Sequence, residues 1–257
     1  MDLQLKNRVA FVAGSSRGIG KAIAIALLRE GCRVCITGRD ATSLQVAYEE
    51  LSRSYGEDSI LKISGDFTDS KTIADALKCV VSQWGCLDVL VANLGTGSGK
   101  PGWQQDEIDW ERLFNLNFFG SVRLAQAAIP HMQQHGGSIV FISSIVGLEA
   151  TPAPLPYSAA KAALINYSKN LARTVAEYMI RVNCIAPGNI FFPGGSWERH
   201  LENRRESVEQ YIASEVPLKR FGAPEEIAAM TVFLASPVSS FATGSCYIVD
   251  GGQTRAV

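Results

Sequence analysis

A chain of 257 residues suits one large α/β unit, and 47% apolar content supplies ample material for a core. Its 24 basic and 25 acidic residues leave a formal charge of -1, which offers no general attraction to nucleic acid or to an anionic membrane. No apolar run reaches the roughly 18 residues of a membrane span, and Met1 to Lys6 lack the basic-then-apolar order of a secretory signal. A cytoplasmic protein acting on a small molecule is therefore expected.

In chain order, extended and helical patterns alternate. Residues 8–13 are an apolar strand ending in a glycine-rich turn, and 19–30 form a helix stopped by Gly31. A strand at 33–37, a polar helix at 41–54, a strand at 60–64, a helix at 70–84 and a strand at 87–91 follow. The second half predicts helix over 106–134, strand over 138–143, a long helix over 156–178 and strand over 180–185. Helices at 197–215 and 224–234 precede a last strand at 246–249. About seven apolar strands alternating with helices imply a single-domain, doubly wound parallel sheet covered on both faces. No linker divides residues 1–257.

Six cysteines are scattered along the chain, and only Cys32 and Cys35 form a C-x-x-C. That spacing serves redox pairs and half metal sites. Positions three apart on a strand point to opposite faces, however, and no second pair completes a site. Buried thiols, and no metal, are expected.

The turn Gly14-Ser15-Ser16-Arg17-Gly18-Ile19-Gly20 follows the first strand and opens the first helix. There a glycine backbone can approach a pyrophosphate that the helix N-terminus attracts. At the end of the second strand an acidic residue would bond the ribose of NAD, whereas Arg suits NADP. Here the residue is Arg39, and with Arg17 it could clamp a 2′-phosphate; Asp40 is expected to point away. Asp66, just past the third strand, is placed either to meet adenine or to cap a turn.

Tyr157 and Lys161 are four apart at the start of a helix and share one face. Bringing a phenol from its reference ~10 towards neutrality takes about 4 kcal/mol of phenolate stabilisation. A lysine cation about 5 Å away supplies about 3 kcal/mol at an effective dielectric near 20. Ser144 ends the strand before them and can hydrogen-bond a substrate oxygen while Tyr157 handles the proton. Alternation turns Ser143 the other way. Asn117 falls within a helical stretch, as a kink that orders a water or as an ordinary helix residue.

Together these segments, with Asn93, Pro187-Gly188 and Val249-Asp-Gly-Gly252, resemble the short-chain dehydrogenase/reductase family over essentially the whole chain. The resemblance is nearest in general pattern to 3-oxoacyl-(acyl-carrier-protein) reductases. It implies a Rossmann-type NADP(H)-binding catalytic domain with a substrate lid at 189–215. Asn117, Ser144, Tyr157 and Lys161 would be the catalytic tetrad, Lys161 and Asn117 positioning a relay water. The cofactor would meet Gly14, Ser16, Arg17, Gly18, Ile19, Gly20, Arg39, Asp66, Phe67, Asn93, Gly95, Tyr157, Lys161, Pro187, Gly188 and Ile190. Asn93 would be largely structural, and Ile190 would act through its backbone. A homotetramer, or a homodimer, is the implied assembly.

The chain departs from that pattern where Ala13 replaces a turn-bracing Thr and where Leu94 replaces Ala after Asn93. In addition, Phe192 stands for a cofactor-contacting Thr and puts an aromatic near the substrate mouth. Phe191, Phe192 and Trp197 suggest an apolar lid or local packing. Residues 94–101 are similar in outline to a phosphate-binding loop, but Pro101 takes the place of the magnesium-binding hydroxyl, which leaves a substrate-side loop. An acidic carrier protein would call for basic clusters at the rim, and residues 132–136 and 176–179 are poor in them. The expected reaction is hydride transfer between NADP(H) and a carbonyl or secondary alcohol, of 3-oxoacyl type or another ketone. Sugar, steroid or polyketide alcohols are the alternative, and a non-catalytic nucleotide-binding regulator is a further one.

Overall fold

The computed structural model describes residues 1–255; residues 256 and 257, the end of the expected domain, lie outside the described residues. Seven strands form one sheet: β1 (Val9–Val12), β2 (Arg33–Gly38), β3 (Ile60–Ser64), β4 (Val89–Ala92), β5 (Gly137–Ile142), β6 (Ile180–Pro187) and β7 (Cys246–Val249). Their order is β3-β2-β1-β4-β5-β6-β7, and every pairing is parallel. Alternation splits β1 between two cores. Ala10 and Val12 join α1 (Gly18–Arg29), α2 (Ala41–Tyr55) and α8 (Pro224–Ala235) on one face. Val9 and Phe11 meet α3 (Ser70–Trp84), α5 (Gly120–Met132) and α6 (Leu155–Val175) on the other. Cys32 and Cys35 fall into these two different cores. Burial pushes the Cys32 thiol up to about 12 and raises Cys35 as well, so both behave as small apolar residues.

The strand order reverses direction between β1 and β4, and such a switch point opens a crevice at the carboxyl edge of the sheet. Helix lengths follow the periodicity except in two places. The helix expected over 106–134 is α4 (Glu107–Phe114), a π-helical turn at Asn115–Phe119, and α5. The cause is Asn117, whose Nδ2 donates to the Leu113 carbonyl at 3.0 Å. An α-helix would reserve that carbonyl for the backbone N–H of residue 117, so the side chain displaces the ladder by one residue. The expected helix 156–178 ends at Val175 and finishes in a 3₁₀ turn. The remaining helix, α7 (Ser196–Glu215), is broken at Arg204. Among the described residues no helix is long and apolar enough to cross a membrane, and no His/Cys/Asp/Glu group could hold a metal.

Candidate active site

A cleft of about 1450 Å³ runs along the carboxyl edge of the strands, larger than the roughly 300–1,000 Å³ of a single small-molecule pocket. All the site residues expected from the sequence line it except Gly18, Gly20 and Asn117.

At one end the glycine turn is built by close approach. A Cβ at Gly20 would lie 2.2 Å from the Gly14 carbonyl oxygen, and Asn93 Nδ2 donates to that same carbonyl at 3.0 Å. Asn93 therefore pins the turn to the end of β4. The hydroxyl absent at Ala13 is replaced from β2: Thr37 Oγ1 accepts from Gly14 N at 3.1 Å, and Ser15 Oγ accepts from Thr37 N at 2.8 Å. The sequence around residue 37 marks only a strand, because nothing local ties it to a turn 23 residues earlier. The N-terminus of α1 has no side-chain cap and no acidic residue in its first turn, which leaves its N–H groups to an anion.

Asp40 caps α2, its Oδ1 accepting from Ser43 N at 2.7 Å and Ser43 Oγ at 2.5 Å. It is committed away from Arg39, which is exposed and has no hydrogen-bond or ion-pair partner among the described residues. The Arg17 guanidinium reaches across to the Gly194 carbonyl at 3.1 Å and lines the same cleft as Arg39. Asp66 Oδ1 accepts from Thr68 N and Oγ1, while Asp69 caps α3. The Phe67 ring is buried edge-on against Phe11.

At the chemical end, Ser144 hydrogen-bonds Tyr157. Ser143 instead donates to the Lys161 carbonyl at 2.9 Å, the opposite orientation that alternation predicts. Lys161 is buried, and its Nζ donates to the Ile142 and Leu94 carbonyls at 2.9 and 3.3 Å. Burial brings its pKa down to about 8. Burial raises the Tyr157 phenol, and the Ser144 hydrogen bond opposes it.

Asn117 stands behind these groups, at the kink in the helix. Its amide is fully buried, accepts from Thr96 N at 3.0 Å and donates to Thr96 O at 3.2 Å. The side chain holds the loop after β4 and does not itself reach the cleft. Gly147, which sequence reasoning missed, lets the turn after Ser144 press on α6: a Cβ there would lie 2.7 Å from the Lys161 carbonyl carbon.

The lid closes over the turn. The Phe192 ring comes within 2.6 Å of where a Gly18 Cβ would stand, so this aromatic covers the glycine turn rather than only the substrate mouth. Phe191 packs on Phe221, and Trp197 stacks on Tyr211 and tilts against Phe221. Ile190 bridges to Gly222 through its neighbours, Phe191 N–H to Gly222 O and Gly222 N–H to Asn189 O. Its own amide and carbonyl thus face the other way.

Comparison with known proteins agrees with this geometry. A family model described as enoyl-(acyl carrier protein) reductase matches residues 13–254. A 3-oxoacyl-[acyl-carrier-protein] reductase of Thermotoga maritima is 35% identical over 97% of this chain and 99% of its own length. A cyclohexanol dehydrogenase of a Rhodococcus species is 33% identical over 98% of each. The structure of L-sorbose reductase from Gluconobacter frateurii, complexed with NADPH and L-sorbose, superposes with a TM-score of 0.93 at 33% identity over both whole chains. The fold and site define an oxidoreductase that interconverts carbonyls and alcohols with a nicotinamide dinucleotide. The chain belongs to the short-chain dehydrogenase/reductase family.

Proposed function

We propose that the protein is an NADP(H)-dependent reductase of ketones, working on a 3-oxoacyl-type or related carbonyl, and that residues 1–257 form one catalytic domain with its lid at 189–215. The observation that carries the cofactor preference is Arg39, an unpaired cation at the end of β2 whose acidic neighbour Asp40 is occupied as a helix cap. The chain's residues fit the dinucleotide: the Gly14 and Gly18 backbone, at positive φ, and the open start of α1 suit a pyrophosphate. Asp66 suits the adenine, and the free backbone groups of Ile190 suit the carboxamide. NADPH in the sorbose reductase complex supports the same reading.

When bound, the nicotinamide cofactor would supply the hydride for the substrate carbon. Tyr157 donates the proton to the carbonyl oxygen, and Ser144 hydrogen-bonds that oxygen as its negative charge develops. Burial keeps the phenol protonated, as the reducing direction requires. Lys161 holds its charge below about pH 8 and, between the Leu94 and Ile142 carbonyls, stands ready to replace the departing proton. Asn117 positions this group by fixing Thr96 beside Gly95, whose missing Cβ leaves room for both Asn117 and Lys161.

Apolar side chains left outside the core support a homotetramer. Phe119 is 44% exposed on the α4–α5 side, and Phe241 is fully exposed beside β7. Six unpaired cysteines suit a reducing, cytoplasmic setting.

Fluorescence titration of NADPH and NADH at fixed salt tests the proposal. Arg39→Ala is expected to cost about 1.5–3 kcal/mol towards NADPH, the range of a charged hydrogen bond, and to leave NADH within about twofold. Equal affinity of the unaltered protein for both cofactors would refute the preference.

A further inference from the structure

Beyond the cofactor's cations and Lys161, the cleft contains a second basic cluster, contributed by the lid. Eight residues of α7 line the cleft, among them Trp197, Arg199 and His200 before the break at Arg204, Arg204 itself, and Val208 and Tyr211 after it. Charge is segregated about this axis. Arg199, His200 and Arg204 line the cleft, whereas Glu198, Glu202, Glu206 and Glu209 do not. Glu198 is occupied at the Gly194 N–H, and Glu209 pairs with Arg205.

The cleft-side arginines are not held by carboxylates, as some arginines elsewhere are. Arg8, Arg112, Arg205 and Arg220 each meet a carboxylate. Among the described residues, Arg199 and Arg204 have none within 4.0 Å. Among the described residues the only acids lining the cleft are Asp40 and Asp66, at the adenosine end. Arg204 Nη2 lies 3.1 Å from His200 Nδ1. Because guanidinium only donates, Nδ1 accepts, and the imidazole keeps Nε2–H as a donor. Burial, then Arg204 and Arg199, lower the His200 pKa, as expected of cations gathered without a counter-ion.

The backbone adds a separate observation. Helix α7 breaks at Arg204 (φ -155°, ψ 52°), where Asn203 Nδ2 donates to the Arg199 carbonyl at 2.6 Å and so takes the acceptor of the backbone ladder. The break leaves Arg204 at the cleft wall beside His200.

We propose that Arg199, Arg204 and His200 form an oxyanion-binding subsite of the substrate cleft, and that the ketone reduced here carries a carboxylate remote from its carbonyl. This rests on the ketone-reductase reading above. The phosphodiester of a pantetheine arm offers the same chemistry from another source, so the test separates the two.

The probes are 4-oxopentanoate, 5-oxohexanoate and 6-oxoheptanoate, each against its methyl ester. Binding is measured by calorimetry in saturating NADP⁺, and kcat/KM with NADPH. A parallel pair is acetoacetyl-pantetheine with and without the 4′-phosphate. At least one acid is expected to bind about tenfold or more tightly than its ester, a modest value for a partly solvated charge pair. The preference is expected to shrink with salt. The Arg199→Gln/Arg204→Gln double variant should erase it while ester binding and NADPH affinity stay unchanged.

Equal binding of acid and ester, a preference that survives the double variant, or no acid binding at all would overturn the carboxylate proposal. Preference for only the phosphorylated thioester would replace the carboxylate by a carrier arm and overturn it too. A double variant that loses NADPH affinity by the same factor would reassign the arginines to the cofactor. Failure of the reductase reading looks different: the acids bind selectively, but no ketone is turned over.

Discussion

Gly95→Ala concentrates the strain of an added methyl group on the two groups behind the reacting centre. The new Cβ would stand 2.6 Å from Asn117 Oδ1 and 3.1 Å from Lys161 Nζ, both well inside the 3.4 Å at which ordinary contact begins. Neither neighbour can yield freely. Asn117 is buried with its amide bonded to Thr96 on both sides and to Leu113, and Lys161 is held by two carbonyls. Moving Oδ1 weakens the Thr96 hydrogen bond and leaves a buried polar atom poorly satisfied, at about 1–3 kcal/mol. Overpacking costs a further amount of similar size, so a loss of about 2–4 kcal/mol in urea unfolding is expected. A displacement of the lysine approaching 1 Å lowers kcat on the order of 10²-fold. Gly97→Ala is the control, because its Cβ would meet the Tyr157 ring at 3.6 Å, an ordinary contact. If Gly95→Ala unfolds within about 0.5 kcal/mol of the unaltered protein and keeps its kcat, the proposed packing of Lys161 and Asn117 is wrong.

Thr37→Val keeps the shape of the β2 residue but leaves the Gly14 N–H without its acceptor. A loss of about 1–2 kcal/mol in stability and a raised Kd for NADPH are expected, and an unchanged Kd would show that the turn does not need this brace. Glu226 is held at about 2 by the Arg220 guanidinium, then by the Ala223 N–H. Its folded value lies below the ordinary 4.5, so its contribution is full above that pH and disappears as the pH falls towards 2. With the side chain 41% exposed, that contribution is small, under about 1 kcal/mol. The stability gap between the unaltered protein and Glu226→Gln should therefore close between pH 5 and 2 in urea titrations, and a gap that widens there contradicts the assignment. Light scattering should give a mass of four chains, reduced by Phe119→Asp or Phe241→Asp; monomers without either change would remove the assembly proposal.

Much of the architecture could be read before any coordinates. Strands buried on both faces show as unbroken apolar runs, and helices show as a 3.6-residue period, so the alternation and the parallel sheet followed from local pattern. The same logic separated Ser144 from Ser143 and sent Cys32 and Cys35 to opposite cores, because side-chain direction on a strand depends only on parity. It also put Tyr157 and Lys161 on one helix face.

Only the tertiary structure decided which distant groups meet. Thr37 braces Gly14 from the neighbouring strand, and Asn117 turns α4 into a π-helical turn while holding Thr96, 21 residues earlier. Arg17 crosses to Gly194, 177 residues away, and Phe192 lies over Gly18. A hydroxyl, an amide or a guanidinium has the same local signature whether its partner is water, backbone or ligand. Burial likewise depends on everything packed around a group, which is why Tyr157 is raised by its surroundings despite a lysine one helical turn away. Sequence periodicity reports which way a side chain points; what it finds there is determined by the chain folding back upon itself.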